Sequence, residues 1–252
     1  MIPHLLRPSC LCLAVVATLA ACARAPEPVA PGDVVVTGPR QGQERGDAAP
    51  ALPPTAIREA ARSFVAVVAQ VEPVAEAVCR ERSPQANCDF EIVVDDRPGV
   101  PPNAFQFLDR RGRPVIAFTL SLILDAANRD ELAFVMSHEA AHHIEGHLAR
   151  QREIATLGAA VFGQLAGAGG GNSDAIRTAQ ELGAAVGART YSREFELEAD
   201  ALGTIIAARA GYDPLRGSEF FFRLPDPGDR FLGTHPPNAE RLAVVRAAVA
   251  GL

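Results

Sequence analysis

The sequence predicts an α+β fold, mainly helical, with one helix that carries a histidine cluster and a small β-hairpin or sheet along one edge. Three observations predict it. After residue 54, apolar residues recur at helical spacing over most of the chain. Only "CDFEIVVDD" and "NAFQFLDRRGRPVIAFTL" cluster or alternate as strands do. Four of the six histidines fall within a single helical stretch, "SHEAAHHIEGH", Ser137 to His147.

Residues 1–21 read as a secretory signal: Arg7, then an apolar run, then small residues before Cys22. The run is shorter than the ~20 residues a membrane span needs. Its end, Leu19-Ala20-Ala21-Cys22, resembles the bacterial lipobox, in which the cysteine is lipidated and becomes the first mature residue. By resemblance to Gram-negative lipoproteins, Ala23 in the place of aspartate implies sorting to the outer membrane, on its periplasmic side. Residues 22–54, rich in proline, alanine and glycine, bury too little surface to offset their ordering entropy and read as a flexible tether. Residues 55–252 are the expected folded domain.

Within that domain, "TAIREAARSFVAVVAQVEPVAEAVCRER" is one or two helices, with Pro73 as a kink or break. A strand and a hairpin around "RRGRP" follow, then a short helix, "SLILDAA". Asn128 with Glu131 has the spacing of a capping box, so a helix begins there and "DELAFVMSHEAAHHIEGHLARQREI" runs on as one long, proline-free helix. The alanine- and glycine-rich segment 155–190 reads as close-packed helices broken at "GAGGGNS", with a membrane-dipping first half as the alternative. "YSREFELEADALGTIIAARAG" is a helix ended by Gly211, and "THPPNAERLAVVRAAVAGL" starts the last one.

Composition removes some functions. A net charge of −6, no tryptophan and two tyrosines leave neither a basic stripe nor a stacking platform, so nucleic acid is not the expected partner. Once Cys10 and Cys12 leave with the signal and Cys22 carries lipid, Cys79 and Cys88 remain. An even pair in an oxidising compartment predicts a disulfide between them, two buried free thiols being the alternative.

On a helix, residues four apart lie about 40° apart, so His138 pairs with His142 and His143 with His147. A continuous helix would point the second pair about 140° from the first. Glu139 distinguishes the pairs. It completes H-E-x-x-H, in which two histidines hold Zn²⁺ and the glutamate acts as general base. On this geometry His143 and His147 are bystanders. Glu145 and Leu148 stand where a metzincin needs glycine and a third histidine, so a third ligand must come from elsewhere. "SREFELEAD" offers Glu194, Glu196, Glu198 and Asp200. Glu196 as ligand with Asp200 behind a ligand histidine is chemically sensible, and small Ala199 and Gly203 would permit close helix approach. By periodicity alone, the same run serves equally well as a solvated acidic face.

Four motifs in order, "SHEAAHHIEGH", "SREFELEAD", "AGYDP" and "THPPNAERL", closely resemble the HtpX- and BepA-like zinc metallopeptidases, the gluzincin family that also contains the CAAX prenyl endopeptidases. The resemblance runs from about Cys79 to the C-terminus. It implies a zincin-like domain with one Zn²⁺ per chain held by His138, His142 and Glu196. Glu139 would be the catalytic base and Asp200 the support of a ligand histidine. His235 would lie near the metal, as an oxyanion donor or a latency ligand, with Arg241 the arginine that follows. It also implies that the hairpin between Asn103 and Thr119 binds extended peptide. The turn "NAFQFLDRRGRP" departs from the glycine-rich turn of many relatives, which implies a different substrate presentation, and partner docking through tetratricopeptide repeats is not expected. The expectation is a lipid-anchored, periplasm-facing endopeptidase acting on unfolded or misassembled envelope proteins. The alternative is a metal-stabilised, chaperone-like or scaffold lipoprotein with little or no proteolysis.

Overall fold

A computed structural model describes residues 53–190, 192–223 and 236–252. The signal segment, Cys22, the tether up to residue 52 and His235 lie outside these described residues.

Helix α1 (Pro54–Arg82) opens with proline at its first turn, where the missing N–H costs nothing. It buries Phe64, Val67, Val71, Ala75 and Val78, a stripe spaced at three and four. Each large apolar side chain there contributes roughly 1.5–3 kcal/mol. The helix continues through Pro73 as one element, so the expected break does not occur. Pro73 is exposed, and the carbonyl it deprives of a partner belongs to exposed Ala69, so solvent takes the place of the lost bond. Cys79 and Cys88 form a disulfide that ties the end of α1 to the chain entering the first strand.

Strands β1 (Glu91–Asp95), β2 (Ala104–Leu108) and β3 (Pro114–Thr119) form a sheet in the order β1-β3-β2. β3 is central, parallel to β1 and antiparallel to β2, and all six of its residues are buried. Two covered faces explain its unbroken apolar run. The hairpin between β2 and β3 turns at Asp109, whose carboxylate accepts from the backbone N–H of Arg111 and Arg113, and at Gly112 with φ +78°. β2 is an edge, so one side of its backbone is free of any described strand.

Thr119 caps α2 (Leu120–Asp125), and its Oγ1 also accepts from the Asn103 N–H, which fixes the start of β2. Asn128 caps α3 (Arg129–Ile144), accepting from the Glu131 N–H at 3.0 Å. Glu131 reaches back to the N–H of Ala127 at 2.8 Å. The expected reciprocal cap forms, displaced by one residue. α3 is buried on nearly every side, as a central helix must be. Ser83, just past α1, donates to the carbonyl of Ile144 at 2.7 Å and holds the end of α3.

The long helix expected through His147 does not form. α3 ends at Ile144, Gly146 takes φ +69°, and α4 (His147–Ala168) leaves in a new direction. Only glycine adopts that left-handed turn without strain. α4 pairs with α5 (Ser173–Thr190). Their backbones approach so closely that a Cβ on Gly158 would sit 2.1 Å from the Gly183 carbonyl oxygen, and one on Gly187 would sit 2.5 Å from that of Ile154. The glycines of this segment are therefore the contact surface of a helical hairpin. α4 leaves Leu157 and Leu165 exposed, and among the described residues no helix is long and apolar enough to cross a membrane.

α6 (Ser192–Arg209) packs on α3. A Cβ on Gly203 would lie 3.0 Å from the Cα and N of His138, and Ala199 is fully buried, so small residues set this approach as expected. α7 (Pro214–Gly217), a 3-10 turn (Ser218–Arg223) and α8 (Asn238–Ala250) complete the described chain. Asn238 donates to the carbonyl of Phe221 at 2.9 Å, which seats α8 against that turn.

Candidate metal centre

One turn of α3 brings the His138 and His142 Nε2 atoms to 3.0 Å from each other. Across the contact set by Gly203, α6 presents Glu196, with its oxygens 3.5 Å from His138 Nε2 and 3.4 Å from His142 Nε2. Metal–ligand bonds of about 2.0–2.1 Å in tetrahedral array separate ligand atoms by about 3.3 Å. These separations are close to that spacing, the contacts to Glu196 being made by Oε2 for His138 and Oε1 for His142, and the three residues form a group able to hold a metal ion. Two imidazoles and one carboxylate suit a divalent transition metal better than calcium or magnesium.

Behind His138, its Nδ1 meets Asp200 Oδ1 at 2.9 Å. Arg241 from α8 grips Asp200 through two parallel bonds, Nε to Oδ2 at 2.7 Å and Nη2 to Oδ1 at 2.6 Å. The guanidinium lies over the Phe221 ring, 3.6 Å from its centroid. The Asp200 side chain is completely buried and that of Arg241 is 6% exposed. Burial pushes His138 down, but hydrogen bonds to Asp200 and Glu196 outweigh it and carry the imidazole up to about 10. A metal must displace that proton to bind.

Behind His142 the arrangement is different, and the sequence reading missed it. The turn at Gly146 swings His147 back so that its Nδ1 lies 2.8 Å from His142 Nδ1. His147 Nε2 meets Glu198 Oε2 at 2.9 Å, and Arg150, one turn on, donates to the same carboxylate. The His147 ring stacks on Phe195, with centroids 4.6 Å apart and planes 11° apart. Burial holds His147 down at about 4, so the ring is neutral. Arg150 keeps the Glu198 carboxyl below its usual range. The available signal was Gly146, the only glycine between Asp130 and Ile154 and a ready helix stop.

Glu139 points into the clefts beside these groups. One is lined by Asn103, Ala104, Leu122, Phe134 and Phe221, the other by Phe105, Gln106, Leu148 and Gln151, and His138, Glu139 and Glu196 border both. Burial raises the Glu139 carboxyl toward the range of a useful base, against the pull of His142 and His138. His143 remains a bystander. It contacts the Asn87 carbonyl at 2.7 Å and packs edge-on to Phe90. The Cys79–Cys88 disulfide lies at the end of α1, on other elements than His138, His142 and Glu196. His235 and Cys22 fall outside the described residues.

The model of peptidase family M48 matches residues 65–249. The chain is 35% identical over 144 residues to a putative beta-barrel assembly-enhancing protease of Vibrio cholerae, covering 54% of this chain and 28% of the relative. It is 32% identical over 157 residues to the beta-barrel assembly-enhancing protease of Escherichia coli, covering 57% and 31%. It is 29% identical over 166 residues to the mitochondrial metalloendopeptidase OMA1 of Saccharomyces cerevisiae, covering 61% and 45%. These matches span less than half the length of each relative.

Proposed function

The chain belongs to peptidase family M48, and on that premise we propose that it is a zinc-dependent endopeptidase of the cell envelope. Its substrates are unfolded or misassembled envelope proteins, and it is held to the periplasmic face of the outer membrane by lipid on Cys22. The observation that carries the reading is the set of three converging ligand atoms of His138, His142 and Glu196 with Glu139 beside them in a cleft.

Zn²⁺ held there would supply a Lewis acid for the scissile carbonyl and lower the pKa of an attacking water toward ~7. Glu139 would serve as the base that takes a proton from an attacking water and returns it to the leaving amine. Asp200 and Arg241 keep the His138 ring oriented with its Nε2 toward Glu196. The substrate lies extended along the free edge of β2, bonded through its backbone, which suits unfolded chains better than folded ones. Gln106 supports this placement: it lines the cleft, and its buried Oε1 has no partner among the described residues. A scaffold reading leaves Glu139 without a task.

The test compares wild type with Glu139→Gln on an unfolded protein such as reduced casein, with zinc content measured for both. Equal zinc with cleavage lost in the variant is the expected outcome. Equal cleavage with equal zinc would reject the mechanism. Kinetic comparison after removing the N-terminal lipid separates the anchor from the chemistry.

A further inference from the structure

We propose that His147 is a positioning residue for the metal centre: it accepts the Nδ1 proton of His142 and so keeps that ligand's Nε2 lone pair free for the metal. The proposal rests on reading His138, His142 and Glu196 as the ligands.

Each proton in the chain of contacts is assigned by the one before it. The Arg150 guanidinium can only donate, so the Glu198 carboxylate accepts from it. Glu198 Oε2 is also 2.9 Å from His147 Nε2, which must then carry the proton. His147 is 4% exposed, a site that disfavours a charged ring. A neutral imidazole protonated at Nε2 has an acceptor at Nδ1. That atom lies 2.8 Å from His142 Nδ1, which therefore donates. The lone pair of His142 is left at Nε2, the atom 3.0 Å from His138 Nε2 and 3.4 Å from Glu196. The opposite polarity would put a proton on the atom that must bind metal.

The fold holds this arrangement in place from both sides. Gly146 redirects the chain, and stacking on Phe195 fixes the plane of the His147 ring. Arg150 packs on the same Phe195 ring, 4.3 Å from its centroid, which keeps it within reach of Glu198. Glu198 lies two residues beyond Glu196 on α6, so one helix supplies both the third ligand and the end of the relay.

Two substitutions in the full chain separate a hydrogen-bonding role from a packing one. His147→Phe keeps an aromatic ring on Phe195 and removes both nitrogens. His147→Asn places an amide oxygen near the position of Nδ1 and can still accept. The readouts are Zn²⁺ affinity by chelator competition, the ¹⁵N shifts of the His142 ring in metal-free protein, and the thermal midpoint of metal-free protein. Wild type should show His142 protonated at Nδ1. His147→Phe should bind Zn²⁺ on the order of 10–100-fold more weakly, with the His142 tautomer mixed, and His147→Asn should recover most of the loss. Wild-type affinity in a folded His147→Phe overturns the proposal. So does a His142 ring protonated at Nε2 in wild type, or a folded His147→Asn no better than His147→Phe. If His147→Phe does not fold, His147→Asn and the wild-type tautomer decide. A wild type that binds no Zn²⁺ sinks the metal reading, and this proposal with it. Normal wild-type binding with an indifferent His147→Phe sinks this proposal alone.

Discussion

Behind His138 and behind His142 stands the same pair of charges, a carboxylate from α6 held by an arginine, at two different depths. Asp200 and Arg241 are buried and touch His138 directly. Glu198 and Arg150 are each 42% exposed and reach His142 only through His147. A buried pair has given up its hydration and depends on its partner, so removing one member leaves an uncompensated charge. An exposed pair is solvated and screened, and contributes little to folding. The difference teaches that one cluster can be held in two ways: the His138 side is built into the core, while the His142 side is held from the surface, at little cost to stability.

The sharpest break is therefore Asp200→Ala, which strands Arg241. It should cost about 3–5 kcal/mol in chemical denaturation of chelated protein. Arg150→Ala should cost under about 1 kcal/mol in the same assay. Equal losses would dissolve the distinction. Effects between these two are expected from the two glycines that shape each side. Gly203→Ala pushes a Cβ against the His138 backbone, where neither helix can yield locally, for about 1–3 kcal/mol. Gly146→Ala meets no atom within 4 Å and costs only its left-handed backbone, about 1–2 kcal/mol. If Gly203→Ala is silent, α6 does not press on α3 as described.

The last prediction is read by sign alone, in chelated protein. His138 rises to about 10, above the 6.5 of an ordinary histidine. Its contribution is full below pH 6.5 and is lost as pH climbs toward 10. His147 falls to about 4, so its contribution is full above pH 6.5 and is lost as pH drops toward 4. Half-buried His143, also lowered, adds to the acid side. Stability should peak near pH 6.5, and His147→Phe should flatten the acid limb while leaving the alkaline one. An alkaline limb that flattens instead would reverse the assignment.

The sequence made parts of this legible for physical reasons. His138 and His142 fall on one face by helical periodicity, and Asn128 with Glu131 marks the helix start. Glu196 stood out only through motif order, since an acidic run has the same spacing on a solvated face. The His147 relay was hidden because helical arithmetic was carried through Gly146, where the chain changes direction and the 140° offset no longer applies. Arg241 was placed by resemblance alone. Its grip on Asp200 joins residues 41 apart and follows from how α8 docks, which periodicity does not encode. Pro73 interrupts nothing because it faces solvent, a property of packing and not of proline.

The hairpin of α4 and α5 is packed, through its glycines, mainly against itself. Its tightest contacts are internal, and His147 and Gly163 are the only buried residues on α4. Such a piece can open below the threshold for global unfolding, so its distal amides should exchange with solvent faster than those of α3. Yet His147 and Arg150 form its root. If His147 braces the metal ligand, bound metal should slow exchange in the first turn of α4 and leave the far turn at Gly169 unchanged, so that a metal's presence becomes readable in the breathing of a helix whose tip never touches it.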